Sequence, residues 1–259
     1  MKVLKISSML VAVALLVASC GGGAEKETVE ANDAQEVQAS TGTDMMIDDG
    51  ASAVMWVGFK DLAGAFKYSH QGTVAVSGGN VTVKDGALEG GKVMMNLAQI
   101  ECTDEDLDDE GKGKLVGHLQ SADFFDVMSY DEEGNGTVNE ANATATFEIT
   151  GVAVYEAPAT TEGEEGEADE WMTANPTHNL TGNLTLRGTT KSITIPAHVE
   201  IAEGGVKASA KFYIDRTQWG VTYGAGSADI IAAAKDDYIR DEMGIGFDIV
   251  AKPAMAEAM

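Results

Sequence analysis

Apolar residues recur at every second position along most of this chain. Ile193, Ile195, Ala197, Val199 and Ile201 form the cleanest series. Val206, Ala208, Ala210, Phe212 and Ile214 follow it, and Leu180, Gly182, Leu184 and Leu186 precede it. Shorter series run through Val74 and Val76, Val81 and Val83, Val93, Met95 and Leu97, and Phe147 and Ile149, and Ile245, Phe247, Ile249 and Ala251 form the last. A period of two is the pleat of a strand, whose successive side chains face opposite sides; a helix would need 3.6. The intervening polar residues predict antiparallel strands with one wet face and one apolar face. Gly78-Gly79, Asp85-Gly86 and Gly204-Gly205 punctuate the series and predict turns.

About eight such strands suit a closed barrel, which has no exposed edges and can hold one small ligand. A two-sheet sandwich fits the periodicity equally well. The inward residues predicted to line a tunnel are Val93, Met95, Phe147, Ile149, Leu184, Leu186, Ile193, Ile195, Phe212, Ile214, Phe247 and Ile249. Small residues on the same faces, Ala197, Ala208, Ala210 and Gly182, are expected to leave room inside.

One helix is predicted to interrupt the strands. Thr103 precedes Asp104-Glu105-Asp106, a weak form of the capping box whose acids suit the positive end of a helix. Leu107, Leu115 and Leu119 supply a sparse apolar stripe, weakened by Gly111 and Gly113. A second short helix is expected near 227–234.

The first nineteen residues read as an address. Lys2 and Lys5 precede an apolar run, Ile6 to Ala18, shorter than the ~20 residues of a membrane span. Val17-Ala18-Ser19-Cys20 resembles a bacterial lipobox, with Gly21-Gly22-Gly23 as a flexible tether. Acylation of Cys20 would anchor the protein to a membrane without spanning it. Residues 20–51 are expected to be a disordered tether, since Glu25 to Gly50 lacks aromatics and any apolar period. The barrel domain is assigned to 52–253, with an acidic loop at 156–175 inserted at a hairpin tip, and 254–259 as a tail.

The net charge of −25 repels nucleic acid and anionic head groups, so nucleic acid is not an expected partner. With Cys20 acylated, Cys102 has no disulfide partner, and the core must hold the fold by itself. Its 259 residues, 44% of them hydrophobic, suffice for one domain.

No catalytic pattern stands out. Asp104, Asp106, Asp108 and Glu110 alternate like the start of a calcium loop, but the sixth position is Asp109 rather than Gly and the twelfth is Leu115 rather than Glu. The four His, at 70, 118, 178 and 198, lack zinc spacing, and Gly-x-Ser-x-Gly is absent. No metal, no cofactor and no catalytic residue is therefore expected. His118 and Arg216 are the head-group candidates. The structural reading is favoured for both: His118 bonding carbonyls at a helix end, and Arg216 bracing the Phe124-Phe125 turn. Arg187, before Gly188, is assigned to solvent.

Three blocks carry a family resemblance. Gly117-His118-Leu119-Gln120-Ser121-Ala122-Asp123-Phe124-Phe125-Asp126 reads as a helix end and a turn planting two Phe side chains. Leu180 to Lys191 and Ile214-Asp215-Arg216-Thr217-Gln218-Trp219-Gly220-Val221 follow in order. Together they resemble the YceI-like family of bacterial lipid- and polyisoprenoid-binding proteins. Trp56 to Lys60, His70-Gln71-Gly72, Gly91 to Met95 and Thr222 to Ser227 extend the likeness across about Trp56 to Lys252. The resemblance implies an antiparallel eight-stranded lipocalin-like β-barrel with one or two short helices, an all-β fold. It also implies an apolar tunnel for an isoprenoid quinone, a polyprenyl phosphate or a fatty acyl chain, for carriage or sequestration and without a chemical reaction. The long acidic loop and the Ala-rich stretch 228–234 depart from the family pattern.

The functional expectation is an envelope lipid-binding protein, anchored through Cys20, facing the periplasm or associated with the outer membrane, with a homodimer as one assembly to consider. The alternatives are a solidly packed barrel serving as a stress or interaction module, and an enzyme acting on isoprenoid substrates.

Overall fold

A computed structural model describes residues 26–62, 66–157, 169–225 and 238–253. The segment expected to be a signal, Cys20, the 227–234 stretch and the 254–259 tail lie outside the described residues, as does the centre of the acidic loop.

Eight antiparallel strands close on themselves, which settles barrel over sandwich. They are β3 (Ala53–Leu62), β4 (Phe66–Lys84), β5 (Ala87–Cys102), β8 (Thr144–Val154), β9 (His178–Leu186), β10 (Thr189–Ala202), β11 (Gly205–Asp215) and β12 (Tyr238–Pro253). Each pairs with the next, and β12 returns to β3. The inward series of the sequence forms one continuous core, from Val54 and Trp56 through Ile149 and Leu184 to Ile249 and Ala251.

One of the expected turns is a tight hairpin: Asp85 and Gly86 both have positive φ between β4 and β5. Arg187 and Gly188 do the same between β9 and β10, the backbone that a two-residue loop matched to strand twist requires. Gly204 lies in the β10–β11 turn. Gly78-Gly79 is not a turn. β4 runs through it unbroken as a bulge, where the register against β5 shifts. A side chain at Gly79 would strike the Lys92 carbonyl, so only glycine lets the two backbones approach there.

The domain does not begin at Ser52. β2 (Thr43–Ile47) pairs with both β12 and β4, and a short 3-10 turn at Asp49–Ala51 joins it to β3. β2 and β3 are therefore one long interrupted staple between β12 and β4.

Residues 26–42 are not a loose spacer either; they form a strap on the outside of the barrel. The Lys26 amide donates to Glu242 Oε1 (3.1 Å), and the Val29 amide to the Tyr213 carbonyl (2.8 Å). β1 (Asn32–Asp33) pairs with Ser192 and Lys191 of β10. Gln35 exchanges two bonds with Asn183 of β9, and the Thr41 and Gly42 amides donate to Glu89 of β5 (2.7 and 2.8 Å). The segment looked structureless because its attachment is polar and main-chain; only Val29 and Ala31 pack against the core.

The strap fills a defect. The β10–β11 ladder covers only 198–202 against 205–209. Beyond it the two strands part, and the strap enters between Tyr213 and Ser192. Thr173, from the end of the acidic loop, seals the same seam: its hydroxyl bonds with the carbonyls of Pro196 (2.7 Å) and Lys211 (3.1 Å) and accepts from the Lys211 amide (3.0 Å). That loop end is not a free hairpin tip. Trp171 is buried on Val57 and Tyr213, over the flat surface left by Gly244 and Gly246, while Asp169 accepts from the Tyr213 hydroxyl (2.9 Å). Burial and the Asp169 carboxylate push the Tyr213 phenol well above its ordinary value.

The long helix starts later than the sequence suggested. α1 spans Asp109–Gln120, and its N-cap is Asp108, which accepts from the Gly111 amide (2.8 Å), not Thr103. Asp104 instead pairs with His70 Nδ1 at 2.7 Å. The hairpin of β6 (Met128–Tyr130) and β7 (Gly136–Val138), the single turn α2 (Glu140–Ala143) and a 3-10 turn at Arg216–Trp219 complete the described elements.

Candidate functional site

The barrel axis holds two apolar chambers. The first, about 90 Å³, lies toward α1, between Trp56, Val74, Leu97, Ile100, Leu119, Phe124, Phe125 and Leu186. The second, about 50 Å³, lies toward the other end, between Val81, Leu88, Val93, Phe147, Ile149, Phe212, Phe247 and Ile249. Val54, Met95, Leu184 and Ile245 line both and form the partition.

Nine of the twelve expected lining residues face these chambers: Val93, Met95, Phe147, Ile149, Leu184, Leu186, Phe212, Phe247 and Ile249. Ile193, Ile195 and Ile214 do not. They are buried in the core on the seam stretches of β10 and β11 and line neither chamber. Gly182 does not leave room either. The Phe147 ring occupies the place its side chain would take, 2.6 Å from where a Cβ would sit. Of the small residues expected to open the interior, Ala208 lines a chamber, whereas Ala197 and Ala210 are buried without lining one.

The α1 end is built from the three signature blocks. Helix α1 delivers Leu119, and the turn after it plants Phe124 and Phe125 edge to face, ring centroids 5.4 Å apart. Arg216 is 2% exposed and lies 5.4 Å from the Phe124 ring. Its guanidinium donates to the carbonyls of Arg240 (2.9 Å), Val221 (2.6 Å) and Ile239 (2.8 Å). A buried cation so placed ties the β11 end to β12, the bracing role, and it also borders the first chamber. Asp215 caps the following 3-10 turn, and Trp219, fully buried, donates to the Leu184 carbonyl at 2.9 Å.

His118 lies outside both chambers. Its ring packs on Tyr223 (4.5 Å) and Phe124 (5.6 Å), while Ser121 caps its carbonyl. Arg187 is not in solvent. From its positive-φ turn it donates to the carbonyls of Phe124 (2.7 Å), Ala122 (2.8 Å) and Gly220 (3.0 Å). Arg187 and Arg216 therefore clamp the Phe124-Phe125 turn from two sides. Sequence reasoning missed Arg187, although its place beside Gly188 in a signature block was the available signal.

Sequence reasoning also passed over Val54, Trp56, Leu88, Leu180, Val206 and Ile245 as lining residues, though Leu180, Val206 and Ile245 belong to series whose parity was already legible. Arg240 and Glu242 border the first chamber, and the irregular register between Ile239 and Met243 hid them from a pattern of period two. Among the described residues, no group of three His, Cys, Asp or Glu side chains is placed to hold a metal.

A closed antiparallel eight-stranded barrel with an apolar axial interior, plugged by aromatic side chains from the turn after α1, defines a lipocalin-like fold. The chain belongs to the YceI-like domain family, whose model matches residues 45–251 and so begins within β2. BcnA of Burkholderia cenocepacia has the same fold at 18% identity and a TM-score of 0.50, over 80% of this chain and 99% of that one. A polyisoprenoid-binding domain from Saccharophagus degradans, implicated in plant cell wall breakdown, is similar at 12% identity and a TM-score of 0.46, over 80% of this chain and 97% of that one. The Campylobacter jejuni YCEI protein is similar at 15% identity and a TM-score of 0.39, over 84% and 90%. No curated protein matches the sequence significantly.

Proposed function

We propose that this protein binds a long-chain lipid, a polyisoprenoid or a fatty acyl chain, along the barrel axis, and carries or sequesters it in the bacterial envelope while anchored through an acylated Cys20. One observation carries the reading: two chambers lined mostly by apolar side chains lie end to end, separated only by side chains, with Arg216, Arg240 and Glu242 at the border of the first. Burying a chain there contributes about 0.8 kcal/mol per CH₂, so a partly buried tail reaches the ~8 kcal/mol of micromolar affinity.

The chamber volumes favour a second reading. Together they fall well short of the ~300–1,000 Å³ of ordinary ligand pockets. A lipid requires the partition to move, and the unbranched, flexible Met95 is the side chain best suited to do so. Without that movement, the barrel is a packed module whose function lies on its surface.

Native mass spectrometry with lipid extraction separates the two. The protein should start at Lys26, because cutting at Ser52 would remove the strap and β2. A bound species of isoprenoid or acyl mass supports the carrier. A bare mass that persists after incubation with quinones, polyprenyl phosphates and fatty acids supports the packed module.

A further inference from the structure

The strap changes what an anchor at Cys20 can do. If residues 20–51 were a free tether, its contour would approach ~100 Å, and the barrel could present any face to the membrane. Lys26 is instead fixed to the barrel: its amide bonds Glu242 of β12, and its ammonium pairs with Asp169, which also holds Tyr213 of β11. From there the chain remains attached through Val29, Asn32, Gln35 and Thr41. Only Gly21 to Glu25 separate Cys20 from Lys26, a covalent reach of at most about 20 Å.

We propose that the β11–β12 wall, with the strapped β10–β11 seam beside it, is the face held against the lipid bilayer. This rests on acylation of Cys20. The strap starts on that wall, so the lipid anchor cannot leave its neighbourhood without peeling the strap away. The opposite wall, β5 and β8, is a full barrel diameter farther from the anchor. The barrel is thus docked in one orientation rather than swinging on a line, and the seam is the part of its wall nearest the bilayer.

The test uses the full acylated protein on phosphatidylcholine vesicles that carry a small fraction of quencher-labelled head groups. In a Cys102→Ala background, a fluorophore is attached through Asp248→Cys, exposed on β12, or through Thr146→Cys on β8. The Asp248 position should be quenched several-fold more strongly than the Thr146 position. Inserting twenty Gly-Ser residues between Gly23 and Ala24 should abolish the difference while leaving the protein vesicle-bound. Equal quenching of the two positions on protein whose N-terminal peptide carries acyl mass overturns the docked orientation and leaves the anchor standing. An N-terminal peptide without acyl mass removes the anchor, and the orientation with it.

Discussion

Asn183 and Gln35 exchange two hydrogen bonds: the Gln35 amide donates to Asn183 Oδ1 (2.9 Å), and Asn183 Nδ2 donates back to the Gln35 carbonyl (2.7 Å). The side-chain amide on β9 thus does for the strap what a neighbouring strand would do. Asn183→Ala removes both bonds and leaves the Gln35 amide and carbonyl to find water. The expected cost is about 1–3 kcal/mol. Urea midpoints measure it, and amide exchange over residues 29–35 should quicken ahead of the barrel strands. An unchanged exchange rate would show that the strap holds without this pair.

Arg187 spans three carbonyls from one guanidinium. Arg187→Gly keeps the left-handed turn but loses those bonds, so it isolates the clamp from the backbone. A loss on the order of 2 kcal/mol is expected, with altered near-UV dichroism from the loosened aromatic cluster. Arg187→Lys should not restore it, because an ammonium lacks the planar fork. Full stability in Arg187→Gly would place the hold on the Phe124-Phe125 turn in Arg216 alone.

Gly182 shares its space with Phe147. A methyl group there would sit 2.6 Å from the ring and 2.9 Å from the Glu148 carbonyl. Gly182→Ala is expected to destabilise by about 1–3 kcal/mol through overpacking. Adding Phe147→Leu should recover part of that, by thermal melts of the double variant.

Met95 borders both chambers, so its size controls whether they join. Met95→Trp should abolish retention of a long-chain lipid, and Met95→Ala should raise retained lipid several-fold, both read by extraction and mass spectrometry. If both variants carried as much lipid as the wild type, the chambers would not be the binding site.

Asp104 is held below its ordinary pKa, first by its hydrogen bond with His70, then by the Asp106 amide, against the opposing effect of burial. A lowered folded-state pKa contributes stability above the unfolded value of ~3.9, which is lost as pH falls through the lower folded value. Asp104→Asn should therefore flatten the stability profile below about pH 4 and destabilise at neutral pH. An unchanged acid limb in denaturant titrations would assign acid sensitivity to other carboxylates.

The alternation determined most of the barrel strands and their inward faces, and Asp85-Gly86 marked its own tight turn, because period and turn chemistry are local. Nine lining residues could be named on that basis. Whether Ile193, Ile195 or Ile214 borders a cavity could not, since cavity volume depends on how opposite walls meet. Gly182 looked like empty space until the fold brought Phe147 over it.

The strap escaped for a different reason. Its attachments, Gln35 to Asn183 and Thr41 to Glu89, join residues far apart in the chain by polar bonds that leave no apolar period. Sequence determined that alternating strands would form a barrel or a sandwich, because each residue carries its own preference for one face of the pleat. Only the tertiary structure decided how wide its interior is, what seals the β10–β11 seam, and that an acidic, featureless segment is part of the wall: these depend on distances between chain segments that no local pattern encodes.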